Sequence, residues 1–304
     1  MVDLEGVVVP LVTPFDAQTD ELDEAALRRL VDRLISGGVQ SLIANASTSE
    51  VFHLSDHERR REAEIVVDQA GGRVPVLVGA GAPGTRLAIE WARHAQSVGA
   101  DGLLIIPPYY EALSVAQIRT HYAAISDAVD MPIMLYNNPF VTQVLLGPAD
   151  LASIVKVANI PWIKLTTLHI EHVPAILELT GGKVRLFEGV DSLAFLSMMN
   201  GCSGWIAAAA NAIPELAVEL WRLTLQSKDL SAALALHRRI VPFTDYIWNN
   251  GEIFCSALKE VGRLRGYPLG ATRLPFCELS EAQAAEVLRL AEALELLPVA
   301  SLTS

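Results

Sequence analysis

Short apolar runs, rich in β-branched residues, recur along the chain at spacings of roughly 20–33 residues. Segments with helical periodicity lie between them, and each opens near an acidic or hydroxyl residue and closes at glycine. Continuously apolar strands that alternate with helices are typical of a parallel sheet covered on its outer side. Eight such runs can be counted, beginning at Gly6, Gln40, Val74, Asp101, Met131, Ile160, Val184 and Gly204.

The count of eight strand–helix units decides between two α/β architectures. It favours a closed (β/α)8 TIM barrel over an open, doubly wound sheet. We predict that residues 1–225 form this barrel. Three further amphipathic patterns follow, and we predict that residues 226–304 form a C-terminal helical extension that covers the barrel or builds a subunit contact.

Charge and composition exclude several classes of partner. The formal net charge of −12 argues against nucleic acid and against an anionic membrane surface, because both require basic patches. The first 15 residues contain neither a basic leader nor an uninterrupted apolar span, so we expect a cytoplasmic protein. The three cysteines are odd in number and widely separated, which favours reduced thiols.

Cofactor and metal motifs find little support in the sequence. Neither G-x-G-x-x-G after the first strand nor G-x-x-x-x-G-K-[ST] occurs. Among seven histidines, His169 and His172 lie near ligand spacing, and a pair of this kind is weak evidence. We therefore predict that the protein uses no cofactor and no metal.

Lys164 stands out in the stretch NIPWIKLTTLH. The chain holds five lysines, and the other four have polar or charged neighbours and read as surface residues: Lys156, Lys183, Lys228 and Lys259. Burying an ammonium in apolar surroundings is costly, so something should offset that cost or use it. The alternative is that Ile163 points inward while Lys164 extends its stem along the surface.

Polar side chains follow several of the predicted strands. In (β/α)8 barrels the working face is built at the C-terminal ends of the strands. Those ends carry Ser47 and Thr48 after the second strand, Tyr110 after the fourth, Tyr136 in the fifth and Lys164 in the sixth. Structural roles stay open beside this: Tyr136 as a rim residue, Ser47 as a helix N-cap, and Tyr110 as a subunit contact.

These residue types suit Schiff-base chemistry. A neutral lysine amine condenses with a ketone, and the cationic imine then accepts electrons from a neighbouring carbon. Forming the imine moves protons to and from oxygen, which a tyrosine with a hydroxyl partner can do. The N–H groups of the STSE turn suit a carboxylate, because helix N-termini favour anions.

The chain resembles the dihydrodipicolinate synthase and N-acetylneuraminate lyase family over nearly its whole length. The resemblance rests on PPYY, on YNNP followed about 25 residues later by the IK strand, and on a hydroxyl pair before Glu50. It implies a barrel with C-terminal helices, no cofactor, a small 2-oxo acid as substrate, and a homo-oligomer, either a dimer or a tetramer. By position, the resemblance implies that Lys164 forms the imine and that Tyr136 transfers protons. It implies that Ser47 and Tyr110 complete a proton relay, with Tyr110 crossing a dimer contact. It also implies that Thr48 and Ser49 belong to a cradle for the substrate carboxylate and that the Ile206 backbone faces the keto acid.

The chain also departs from the family pattern. The cradle usually reads G-T-T-G-E, whereas Ala46 and Ser49 replace both glycines here. Dihydrodipicolinate synthases resemble one another in an arginine two residues after the YN-x-P proline, and that position is Val141 in this chain. An aliphatic side chain cannot grip a second carboxylate as a guanidinium does.

We therefore predict a class I lyase that carries out aldol cleavage or condensation involving pyruvate. Three alternatives stay open. They are a dehydratase of a 2-keto-3-deoxy sugar acid, a dihydrodipicolinate synthase, which Val141 disfavours, and a non-catalytic keto-acid sensor.

Overall fold

The computed structural model describes residues 2–297. Its centre is a closed barrel of eight parallel strands in which each strand pairs with its sequence neighbours and β8 pairs with β1. The predicted (β/α)8 fold is therefore confirmed. The strands are β1 Gly6–Pro10, β2 Ser41–Ala44, β3 Val76–Gly79, β4 Gly102–Ile105, β5 Ile133–Asn137, β6 Trp162–Leu165, β7 Arg185–Glu188 and β8 Gly204–Ile206.

Helices surround the barrel and continue beyond it. The helices up to α9 follow the strands, and α10 to α12 correspond to the three amphipathic patterns expected after residue 225. The boundary itself stays a prediction. The helices are α1 Glu24–Ser36, α2 Asp56–Ala70, α3 Thr85–Ser97, α4 Val115–Ala128, α5 Pro139–Thr142, α6 Pro148–Val155, α7 His172–Leu179, α8 Ala194–Met199, α9 Pro214–Trp221, α10 Leu230–Asn249, α11 Phe254–Leu264 and α12 Glu281–Ala293.

Strand alternation sorts the apolar residues into two cores. Trp162 packs inside the barrel with Met134 and Phe187, among others. Ile163 and Leu165 belong to the larger core between the strands and the helices. Because side chains alternate along a strand, Lys164 points the same way as Trp162, into the barrel. The alternative in which Ile163 points inward is therefore wrong.

The C-terminal helices share the outer core with the barrel. Phe243 of α10 and Leu258 of α11 are buried in the same cluster as Leu27 of α1. The expectation that Lys259 is an ordinary surface residue is wrong, because its side chain is 4% exposed. It lies on the inner face of α11, where Glu50 neutralises its charge.

No helix among residues 2–297 combines the length and the apolar character that a membrane crossing requires.

Candidate active site

Lys164 and Tyr136 are direct cross-strand partners. β5 and β6 pair in a register that places the two residues side by side. The Lys164 Nζ lies 4.0 Å from the centroid of the Tyr136 ring, and both residues are 5% exposed. No carboxylate of residues 2–297 lies within 4.0 Å of this Nζ, unlike that of Lys259. The amine is therefore buried and held beside a phenol, without a direct ion pair.

Gly189 makes room for the lysine side chain. A Cβ at this position would lie 2.8 Å from the Lys164 Cε and would also collide with the Thr166 hydroxyl. Thr166 is 3% exposed, and its Oγ1 has no hydrogen-bond partner within the described chain. As it follows Lys164 by two residues at the end of β6, an unsatisfied hydroxyl lies on the lysine's side of the strand.

Asn138 contacts the reactive end of Tyr136. Its Nδ2 donates a hydrogen bond of 2.9 Å to the Tyr136 hydroxyl, while its Oδ1 accepts from the Phe140 N–H and caps α5. A hydroxyl that accepts from an amide keeps its own proton free for another acceptor. The same amide would stabilise the phenolate once that proton has left.

Asp191 supplies a buried negative group beside the lysine. The Trp205 Nε1 donates to its Oδ1 at 2.8 Å, and the Ala209 N–H donates to its Oδ2 at 3.1 Å. Burial raises the pKa of the Asp191 carboxyl to about 6, and the nearby Lys164 charge opposes that rise. At neutral pH the carboxylate can therefore stabilise a cation formed on Lys164.

The turn after β2 contains the residues predicted to form the carboxylate cradle. Ser47 to Ser49 make one turn of 3-10 helix. Neither the Ser47 nor the Thr48 N–H donates a hydrogen bond within residues 2–297. Ser47 is exposed and Thr48 is buried. Two free N–H groups at the start of a helical turn suit a carboxylate.

Ser49 supports this turn from within. Its side chain is fully buried. Its Oγ donates to the Leu11 carbonyl at 2.8 Å and accepts from the Ala46 N–H at 3.2 Å. The hydroxyl is therefore committed to the protein, and Ser49 shapes the cradle rather than offering its side chain to a ligand.

The other predicted residues are placed differently. Ser47 and Tyr136 line one cavity at the barrel mouth. Ile206 in β8 belongs to the interior core with Tyr136. Tyr110, in contrast, is 83% exposed and is not among the residues that line this cavity. The single chain does not bring Tyr110 to the site, so a relay through it requires a second subunit.

An apolar residue occupies the position at which dihydrodipicolinate synthases resemble one another in an arginine. Val141 lies in α5 beside Phe140, and both are partly exposed. The Phe140 ring packs edge-on against Trp248 of α10 at 5.6 Å. This side of the mouth therefore offers apolar and aromatic surface.

The acidic and histidine side chains that end or follow β6 and β7 have partners of their own within the protein. Glu188 accepts hydrogen bonds from the Ser197 hydroxyl and from the Gly189 and Val190 N–H groups. His169, on the loop after β6, stacks at 4.8 Å on His172, the first residue of α7, and the His169 Nδ1 lies 2.7 Å from Glu171. Protein donors thus already engage the buried carboxylate, and the His169 ring is paired with Glu171.

Sequence reasoning missed three polar groups of the site: Asn138, Thr166 and Asp191. Asn138 was visible within the YNNP motif, although nothing in the sequence shows where its amide points. Thr166 lies two residues after the lysine, and strand alternation places two such side chains on the same face, so its position could have been predicted from the sequence. The partners of Asp191 are 14 and 18 residues away along the chain, so only the folded structure identifies it.

Comparison with known proteins gives a consistent result. A sequence model of the Dihydrodipicolinate synthetase family matches residues 3–294. The 4-hydroxy-tetrahydrodipicolinate synthase of Phenylobacterium zucineum is 36% identical over 287 residues, which cover 93% of this chain and 95% of that protein. The enzyme of the same name from Acidiphilium cryptum is 33% identical over 285 residues, with coverages of 93% and 95%.

Solved structures agree with the sequence matches. A putative dihydrodipicolinate synthetase from Pseudomonas aeruginosa superimposes with a TM-score of 0.92 at 32% identity, covering 96% of this chain and 100% of that one. A prophage protein of the dihydrodipicolinic acid synthase family from E. coli K12, in complex with pyruvate, gives a TM-score of 0.91 at 30% identity, covering 96% and 99%. The chain therefore belongs to the dihydrodipicolinate synthetase family and is a class I lyase that acts on 2-oxo acids through a lysine Schiff base.

Proposed function

We propose that Lys164 is the imine-forming residue and that the enzyme cleaves a 4-hydroxy-2-oxo acid to pyruvate and an aldehyde. The observation that carries this proposal is the buried Lys164 Nζ, 4.0 Å from the centroid of the Tyr136 ring and without a carboxylate partner within 4.0 Å in the described chain. The amine is thus held out of water beside the phenol, and an amine attacks a carbonyl in its neutral form.

Tyr136 transfers the protons of the reaction. The amine adds to the C2 carbonyl, and Tyr136 protonates the oxygen that leaves as water. The resulting iminium draws the electron pair of the C3–C4 bond as a base removes the proton of the C4 hydroxyl and the aldehyde departs. Protonation of the enamine at C3 and hydrolysis of the imine release pyruvate and restore the amine. The Asn138 amide supports Tyr136 as it cycles between phenol and phenolate.

Three features favour the substrate class. The free N–H groups of Ser47 and Thr48 suit the carboxylate next to the ketone. The unsatisfied Thr166 hydroxyl suits a hydroxyl group of the substrate. Val141, Phe140 and Trp248 suit a distal end that is neutral or apolar, which disfavours an aldehyde with its own carboxylate.

The active assembly is a homodimer or a larger homo-oligomer. Tyr110 projects from the β4–α4 loop with 83% of its surface exposed. A large aromatic side chain in this position is stabilised by burial against a second copy. That contact brings the Tyr110 hydroxyl to the partner's Ser47, which completes the relay.

Borohydride trapping tests the role of Lys164. The protein is incubated with pyruvate and borohydride, and the adduct is mapped by mass spectrometry. We expect reduction of the imine to leave a stable label on the Lys164 peptide. Lys164→Arg keeps the charge but cannot form the imine, so it should remain unlabelled. Labelling of another lysine, or of none in the wild type, would refute the proposal.

A substrate panel tests the reaction. Hydroxy-2-oxo acids with apolar, polyhydroxylated or carboxylated distal ends are screened for pyruvate release with a coupled assay. We expect the highest kcat/KM with neutral or apolar ends. Loss of water without pyruvate release would favour the dehydratase instead, and thermal stabilisation without any turnover would indicate a sensor.

A further inference from the structure

Glu62 is a fully buried carboxyl group behind the cradle. It lies on α2, and its side chain is 0% exposed. Its Oε1 accepts a hydrogen bond of 3.1 Å from the Asn45 N–H, and its Oε2 lies 2.9 Å from the Thr13 hydroxyl. Asn45 directly precedes the segment that leads into the Ser47–Ser49 turn. Glu62 therefore touches the support of the cradle and does not face the barrel mouth.

Counting protons in this network favours the neutral form of Glu62. The Thr13 Oγ1 lies 2.6 Å from the Ser49 carbonyl as well as 2.9 Å from the Glu62 Oε2. A hydroxyl has one proton and can donate to one of these two acceptors. If Glu62 is ionised, either the Ser49 carbonyl or the carboxylate oxygen loses this donor. If Glu62 carries a proton on Oε2, it donates to Thr13, Thr13 donates to Ser49, and every group is satisfied.

Burial and the neighbouring cations have opposite effects on the pKa of Glu62. Burial raises the pKa of the Glu62 carboxyl to about 7, although its hydrogen bonds and the charge of Arg59, on the same helix, oppose the rise. Lys259 approaches from α11, but Glu50 of the cradle already neutralises it at 2.6 Å. Neither cation has a hydrogen bond to Glu62 in the described structure. Arg59 donates instead to the Gly79 and Gly81 carbonyls.

We propose that Glu62 is a positioning residue that holds the carboxylate cradle as a neutral carboxylic acid and weakens substrate binding when it ionises. Ionisation redirects the Thr13 proton to the carboxylate and releases the Ser49 carbonyl, so the turn loses its anchor. It also places a negative charge in a low-dielectric region behind the N–H groups that bind the substrate carboxylate. The inference rests on the proposed function for its effect on substrate.

Glu62→Gln tests the inference, because the carboxamide copies the neutral acid: its oxygen accepts from Asn45 and its NH2 donates to Thr13. The half-saturating pyruvate concentration for borohydride trapping is measured from pH 6 to pH 8.5. We expect E62Q to match the wild type within about twofold at pH 6. At pH 8.5 we expect the wild type to need several-fold more pyruvate than E62Q. Glu64→Gln, a partly exposed residue on the same helix that pairs with Arg61 at 3.3 Å, is the matched control and should follow the wild type throughout.

A second measurement does not depend on the proposed function. The midpoint of thermal unfolding is compared for E62Q and the wild type from pH 5 to pH 8. We expect the advantage of E62Q to grow with pH, since the wild type must bury a charge at high pH and E62Q never does. Failure of trapping with this trend intact would remove the proposed function but leave the neutral acid in place. A pH-independent difference in both measurements, or a tenfold loss of pyruvate binding by E62Q at pH 6, would overturn the inference.

Discussion

At the scale of single residues, the chemistry depends on polar contacts that reach only a few ångströms. Lys164 is paired with the Tyr136 ring, and Tyr136 with the Asn138 amide. Each contact changes the environment of a reactive side chain from the one it would have in water. The lysine is removed from solvent, and the tyrosine gains a donor that stabilises its phenolate. A substitution that keeps the structural role of the contacting residue but removes its contact should therefore lower the reaction rate more than the stability of the fold.

Asn138→Asp makes such a change. The aspartate still accepts from the Phe140 N–H and caps α5, but it replaces the donor to Tyr136 with a negative acceptor. A hydrogen bond to a charged group contributes about 1.5–3 kcal/mol, so we expect kcat for pyruvate release to fall roughly 10- to 100-fold. Borohydride labelling at saturating pyruvate and long incubation should persist, as the amine is untouched. A kcat within twofold of wild type would show that Asn138 has only a structural role.

At the scale of elements, the C-terminal helices hold the cradle in place. Lys259 of α11 donates to the Glu50 carboxylate at 2.6 Å and to the Ala271 carbonyl at 2.6 Å. The Arg273 N–H donates to the other Glu50 oxygen at 3.0 Å. Cys255 reaches the Thr48 carbonyl at 3.6 Å. The extension therefore fixes a turn that begins more than 200 residues earlier in the chain.

Lys259→Met tests this link between elements. The change removes one partner of a buried ion pair and leaves the Glu50 charge uncompensated, which costs about 3–5 kcal/mol. The free energy of unfolding, measured with urea, should fall by that amount. The double variant Glu50→Gln with Lys259→Met should regain part of the loss. A double variant less stable than K259M would contradict the explanation.

At the scale of the whole molecule, several buried titratable groups act on stability together. Burial raises the pKa of both Glu62 and Glu188 to about 7 and that of Asp191 to about 6. Each such carboxyl stabilises the fold fully below its unfolded pKa, near 4.5 for Glu and 3.8 for Asp, and that contribution is lost as pH rises through the folded pKa. Burial lowers the pKa of His121 to about 4, so this group makes the fold more stable as the pH rises from 4 to 6.5.

We therefore expect the free energy of unfolding to decrease from pH 5 to pH 7.5. One pKa unit corresponds to about 1.4 kcal/mol, so the three carboxyls outweigh His121 and His237, whose pKa burial also lowers, by an amount on the order of a few kcal/mol. Urea unfolding at intervals of half a pH unit measures the trend. Glu188→Gln should flatten it, because the amide does not ionise. A stability that rises steadily from pH 5 to 7.5 would contradict this account.

Much of the fold could be predicted from the sequence, and less of the site. The eight apolar runs coincide with the eight strands, and the three final patterns with α10 to α12. Lys164 and Tyr136 were predicted from strand ends and from resemblance, and their roles remain predictions. Lys259 was misjudged, because the apolar face of a helix does not reveal that a glutamate lies 209 positions away in the chain and neutralises it.

The sequence by itself determined the order of the elements, the closed barrel and the family, because periodicity, turn residues and motif spacing are properties of neighbouring positions. Tertiary structure decided which polar groups meet. It directed Lys164 inward beside Tyr136, placed Glu62 behind the cradle and left Tyr110 exposed. Those outcomes depend on packing between distant segments, since the energy of a buried charge or hydroxyl is set by the groups within a few ångströms of it in space.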